Sequence, residues 1–158
     1  MSTIVANRIE SLQSGQTTFT ATPYVISFLA YELTTGNGGN STLVYQKTQH
    51  NVGNAYSTST GKFTAPVKGI YQFSASILRY QNDGNLVFRV NNDTSYLEGN
   101  SNGDRVASYS QPATYSKAIP MANLQLNAND EVTVYVVGNL TVYGNYNHFS
   151  GHLIGAIE

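Results

Sequence analysis

Cysteine is absent from the 158 residues, so there is no disulfide framework, no Cys–zinc site and no thiolate nucleophile. Tryptophan is absent too. Charge is scarce: Asp, Glu, Lys and Arg make up 11% of the chain, against the ~25% usual in soluble domains. Lys plus Arg is 8 and Asp plus Glu is 9, for a net charge of -1. So few cations cannot build a basic face, which excludes nucleic acid as the expected partner. Long apolar runs are missing: nothing approaches the ~20 residues of a membrane span. The opening Met1–Arg8 has no basic segment leading into an apolar stretch of roughly 7–15 residues, so it does not read as a secretory signal.

What is there is neutral and polar. The chain holds 15 Ser, 16 Thr, 17 Asn, 8 Gln and 14 Gly, together 70 residues, and 12 Tyr. That amide- and hydroxyl-rich, Tyr-studded composition suits an extracellular or particle-surface β-protein better than a cytosolic enzyme. The length suits one domain able to bury a core without staples.

From Phe19 onward, runs rich in Val, Ile, Tyr, Phe and Thr alternate with Gly/Asn/Asp clusters, the pattern of an all-β chain. Tyr24–Leu33 is almost continuously apolar and is expected as a strand buried on both faces. A Gly/Asn loop over 34–42 leads to a strand over Leu43–Gln49, and a polar loop follows over 51–59. Lys62–Val67 is expected as a strand that ends near Pro66, because proline cannot donate to a ladder. Tyr71, Phe73, Ala75 and Ile77 alternate with Gln72, Ser74 and Ser76, which places four apolar side chains on one strand face. Asn82–Asn85 reads as a hairpin turn into Leu86–Val90. Asn127–Asp130 reads as another, joining Ala118–Leu126 to Val132–Val137. The polar stretch 91–111 leaves room for a short strand and a long loop, and a last strand spans about His148–Ile157. About ten short antiparallel strands with no long helix imply a sandwich or jelly roll over residues 19–158.

Residues 1–18 read differently. Val5, Ile9 and Leu12 recur at i, i+4 and i+7, one apolar stripe of a short helix that Gly15 could cap. A strand or an arm is the other reading of these residues. As a function, the segment is expected to attach the domain or to order on assembly.

The stretch Tyr56–Ser74, YSTSTGKFTAPVKGIYQFS, resembles the signature of the complement C1q globular domain. Gly61, Phe63, Pro66, Gly69, Tyr71 and Phe73 fall at the family's spacings. Leu124–Val134 resembles a second block of that family, with Asn129 where glycine is usual. Phe149–Ile154 resembles its closing strand, through Phe149 and Gly151. The resemblance implies an all-β, antiparallel jelly roll of the C1q and tumour-necrosis-factor type, about ten strands, assembling as a homotrimer around an axis lined by apolar and Tyr side chains. It also implies a non-catalytic role in multivalent recognition of proteins, glycans or surfaces. The aromatic motif residues are expected in the core, with Gly61 and Gly69 in tight turns and Gly151 leaving room beside Phe149.

No catalytic constellation is visible: no phosphate-cradling Gly-rich loop, nucleophile elbow or HExxH occurs. His148 and His152 would share a strand face but lie ~13 Å apart, too far to chelate one ion. His50 is distant in sequence; a threefold axis could gather three copies of one His, whereas the plain reading is a surface or core-edge side chain. Asp83, Asp93, Asp104 and Asp130 sit in turns without the ligand spacing of a calcium loop. No cofactor, no metal and no enzyme activity are expected. Asn40, Asn92 and Asn139 open glycosylation sequons, expected by chance in so Asn- and Thr-rich a chain unless it is secreted by a eukaryote.

Two functions follow. The first is a virion structural protein, a fibre, knob or capsid decoration. It would be joined to other virion proteins by its N-terminus and project a trimer for adhesion at the virion surface. The Met1 start, the missing signal and the opening residues, which resemble those of phage structural proteins, support it. The alternative is a secreted, extracellular C1q-domain lectin that binds cell-surface glycans or proteins.

Overall fold

The computed structural model describes residues 8–11, 17–20, 25–34, 36–37, 39–81, 84–92, 107–109 and 115–157. Among them are 14 strands and no helix, so none is long and apolar enough to cross a membrane. The strands are β1 (Arg8–Ser11), β2 (Thr17–Thr20), β3 (Ser27–Tyr31), β4 (Gly36–Asn37), β5 (Lys47–Val52), β6 (Lys62–Thr64), β7 (Gly69–Gln81), β8 (Gly84–Val90), β9 (Ala107–Tyr109), β10 (Ser116–Ala118), β11 (Met121–Leu126), β12 (Glu131–Gly138), β13 (Thr141–Val142) and β14 (His148–Ala156). The number exceeds the expected ten because several strands are two to four residues long.

Two antiparallel sheets face each other. One runs β4-β13-β7-β14-β3-β5, with β10 and β11 also paired to β7; the other runs β6-β12-β8-β9. The 13-residue β7 is the spine of the larger sheet. Its Tyr71, Phe73, Ala75 and Ile77 are all fully buried, the face that their alternation requires. Opposite them lie Leu86, Phe88 and Val90 of β8 and Val132, Val134 and Val136 of β12, all buried.

Both expected hairpins are corrected. β7 pairs with β10, β11, β13 and β14, whereas β8 pairs with β12 and β9. The connection at 82–85 therefore carries the chain from one sheet to the other. The turn at 127–130 does the same, since β11 pairs with β7 and β12 with β6 and β8. Its geometry is set by Asp130, whose carboxylate accepts from the Asn127 amide at 2.7 Å and from the Asn91 side chain at 2.8 Å. Asn129 sits there at φ 72°, a conformation that asparagine tolerates better than most residues when glycine is missing.

The Leu43–Gln49 strand is displaced to Lys47–Val52. Leu43 donates instead to the Val134 carbonyl at 2.8 Å, and Ser41 accepts from Val136, so this segment closes the edge of the smaller sheet. Pro66 follows β6 by two residues, and the ladder stops before it. At the N-terminus, β1 and β2 form an antiparallel pair with Ile9 opposite Phe19. Over 8–11 this replaces the helical reading, since the backbone there is paired in an antiparallel ladder with 17–20. Val5, Leu12 and Gly15 lie outside the described residues. The pair spans the boundary drawn between 18 and 19.

Candidate functional site

The motif residues of the Tyr56–Ser74 block gather at the centre of the sandwich. Phe63 packs edge-on against Phe73 and Tyr71, with centroids 5.0 and 5.4 Å apart, and stacks on Phe28 at 5.4 Å. Phe149 approaches Phe28 at 4.9 Å and Phe73 at 5.9 Å. Tyr71 is a tyrosine for a local reason: its hydroxyl donates to the Val67 carbonyl at 2.7 Å, which pins the Pro66–Gly69 bend. Gly61 adopts φ +73°, and a Cβ there would lie 2.6 Å from the Leu43 carbonyl oxygen. Gly69 begins a strand rather than occupying a turn, and a Cβ there would meet the Gly155 carbonyl oxygen at 2.7 Å. These residues shape the core and offer no open site. Buried Tyr45 and Tyr56 are linked the same way, Tyr56 Oη donating to the Tyr45 carbonyl at 3.2 Å. Burial pushes the Tyr56 phenol up to about 12 and the Tyr45 phenol well above its ordinary range.

The exposed chemistry lies on the outward face of the larger sheet. β3 was expected to be buried on both faces, but only Phe28 and Ala30 turn inward to the core. Ladder partners share a face, which orders the outward side chains in rows. Lys47, Tyr31, His148 and Ser76 form one row; His50, Leu29, Ser150, Ser74 and Met121 form the next; Val52, Ser27, His152, Gln72 and Asn123 form the third. Leu29, Tyr31, Gln49, His148 and Ser150 line an open depression of ≈ 560 Å³. Met121, Val52 and Tyr31 are 61%, 47% and 40% exposed, far more apolar surface than the opposite face of the same strands leaves open. Near the end of β7, Tyr115 stacks on Tyr143 with centroids 5.8 Å apart.

All three histidines fall on this face. His50 Nε2 lies 2.9 Å from Ser27 Oγ, and His148 Nδ1 lies 2.9 Å from Ser76 Oγ. The ladders keep His148 and His152 apart, with the Ser150 row between them, and among the described residues no three His, Asp or Glu side chains gather to hold a metal ion. Sequence reasoning missed the gathering of His50 with the other two, because only the β3–β5 and β3–β14 registers bring it there. Asn40, Asn92 and Asn139 are exposed, and Asn40 Oδ1 accepts from the Gly138 amide at 3.1 Å.

Partial burial, and then the Lys117 ammonium, hold the His148 imidazole below its ordinary value of 6.5. The unfolded chain therefore binds that proton more tightly than the folded one. Stability from the neutral ring is complete above pH 6.5 and falls as pH drops from there through the lower folded value. Thermal melting from pH 7.5 to pH 5 should show this loss, and His148→Gln should flatten it; an unchanged slope in the variant would assign the loss to other groups.

The comparisons with known proteins bear on this architecture. The C1q domain family matches residues 27–154. The chain is 29% identical over 128 residues to the mouse protein named complement C1q tumor necrosis factor-related protein 3, covering 79% of this chain and 48% of the relative. The human protein of that name matches at 29% over 126 residues, with the same coverages. The chain thus spans about half the length of the curated relatives it matches. Among solved structures, the globular domain of zebrafish complement 1qA superposes with a TM-score of 0.62 at 16% identity, covering 84% of this chain and 98% of that one. Eiger TNF from S. frugiperda gives 0.59 at 15% identity, covering 85% and 95%. With well over half of its length matched, and with the two-sheet jelly roll that those neighbours share, the chain belongs to the C1q domain family.

Proposed function

We infer that the chain is a non-catalytic recognition domain of an extracellular protein, working as a homotrimer whose copies associate through the outward face of the larger sheet. The single observation that carries this is the apolar set on that face, exposed Tyr31, Val52 and Met121 with half-buried Leu29, spread over β3, β5 and β11. Exposed apolar side chains on an uncharged sheet face mark an association surface. Burying it in a trimer leaves the smaller sheet and the loops of three copies to bind a repeated glycan or protein together, each site weak alone. Residues 1–18, with Val5, Ile9 and Leu12, serve as the attachment or assembly segment. The complement-related names of the curated relatives support the secreted role; the low charge and amide-rich composition suits a virion surface as well.

Light scattering is expected to give a mass near three times 17.1 kDa, and a monomer at micromolar concentration overturns the reading. Met121→Glu should disperse the trimer into folded monomers, since Met121 is 61% exposed in the single chain and its replacement leaves the core intact. Density-gradient fractions of the natural source, followed by mass spectrometry, separate the two placements: soluble chain supports the secreted one, co-sedimentation with particles at fixed stoichiometry the virion one.

A further inference from the structure

The larger sheet has an unbalanced charge inventory. Its eight strands hold all three histidines of the chain, with Lys47, Arg79 and Lys117, and not one Asp or Glu. Arg79 is buried on the inward side. The nearest described carboxylate partner, Glu32 just beyond β3, already pairs with Lys47 Nζ at 2.8 Å. The histidines are spread over three consecutive outward rows, and what faces them is neutral or cationic. His148 meets Tyr31 from β3, Ser76 from β7 and Lys117 from the β10 side; His152 meets Ser27 and Gln72; His50 meets Ser27 and Leu29. At neutral pH such a face is polar enough to stay soluble and uncharged enough to associate.

We propose that this histidine face makes the assembly acid-labile, holding the trimer together at neutral pH and releasing folded monomers near pH 5. The inference rests on the trimer reading above. Protonation adds up to three positive charges to each copy of the face, beside Lys117 and, among the described residues, with the nearby carboxylate of Glu32 already held by Lys47. In the monomer exposed His50 and His152 stay in water, and only half-buried His148 resists the charge. Between copies they are partly desolvated and repel one another, so protons bind the monomer more tightly and pull the equilibrium toward it. The spread of the three residues over the face makes the effect collective rather than the property of a single side chain.

The test is light scattering on the full chain at pH 7.5 and pH 5.0, with circular dichroism on the same samples. The expected result is a trimer at pH 7.5 and a folded monomer at pH 5.0, the dissociation constant rising about tenfold or more between the two. The triple variant His50→Gln, His148→Gln, His152→Gln should remain trimeric at both pH values. A wild-type trimer that persists at pH 5.0 overturns the inference while leaving the trimer standing. So does a triple variant that dissociates as readily as the wild type, or a wild type that unfolds at pH 5.0 without passing through a folded monomer. A monomer already at pH 7.5 removes the trimer reading itself.

Discussion

Phe149→Ala is expected to lower the folding stability by about 3–5 kcal/mol, the range for removing a fully buried phenylalanine. The ring lies at the junction of both sheets. It is approached by Phe28 at 4.9 Å, Tyr56 at 5.7 Å, Phe73 at 5.9 Å, and Tyr45 and Phe88 at 6.0 Å. Phe88 belongs to β8 in the smaller sheet and Phe28 and Phe73 to the larger one, so a void there takes contacts from both layers. Those neighbours are themselves locked by stacking and by the Tyr56–Tyr45 hydrogen bond, which restricts collapse into the space. For a domain whose whole stability is about 5–15 kcal/mol, the loss is a large fraction. It is read as a fall in the urea midpoint at unchanged slope. Tyr146→Ala is the control: that side chain is 75% exposed, and its removal should move stability by no more than about 0.5 kcal/mol. A loss below about 1.5 kcal/mol for Phe149→Ala would mean that the two sheets are held together elsewhere.

How legible this architecture is from residues alone depends on whether the information is local. The inward face of β7 is legible, because alternation of Tyr71, Phe73, Ala75 and Ile77 with polar residues dictates its sidedness whatever the partner strands. The turns at 82–85 and 127–130 are legible as reversals but not as crossings. Asn and Asp chemistry bends the backbone without specifying which sheet receives the next strand. In a jelly roll it is the opposite sheet, and the hairpin reading fails for that reason. Tyr24–Leu33 misleads in a different way. Leu29 and Tyr31 on the outward face are as apolar as their inward neighbours, so they read as core although a single chain leaves Tyr31 40% exposed. Residues 8–11 show the weakness of short periodicity, since Val5, Ile9 and Leu12 fit a helix while the backbone at Ile9 pairs with Phe19. The histidine face is hidden for a longer-range reason: residues 50, 148 and 152 reach one sheet face only through two ladders and a bulge between Leu29 and Ala30.

Gly151→Ala probes the same core from the opposite direction, by adding one carbon rather than removing six. Gly151 lies in β14 between Phe28 on β3 and Phe73 on β7, directly paired to both. A Cβ would sit 2.6 and 2.7 Å from two carbons of the Phe73 ring and 2.8 Å from one of Phe28, well inside contact distance. Both rings are fully buried, so neither can swing into solvent, and the strain must spread into the ladder. Overpacking of this kind costs about 1–3 kcal/mol, and here the upper half of that range is expected because two rings are met at once. The cause is steric and not conformational, since Gly151 has no left-handed backbone angle, unlike Gly61. That distinction is testable. In a Phe73→Ala background the nearest obstructing atoms are gone, so Gly151→Ala should cost less there by about 0.5–3 kcal/mol, the coupling expected of residues in contact. Equal costs in the two backgrounds would show that Phe73 is not the obstacle. They would assign the cost to Phe28, the other ring within 3 Å of the added Cβ.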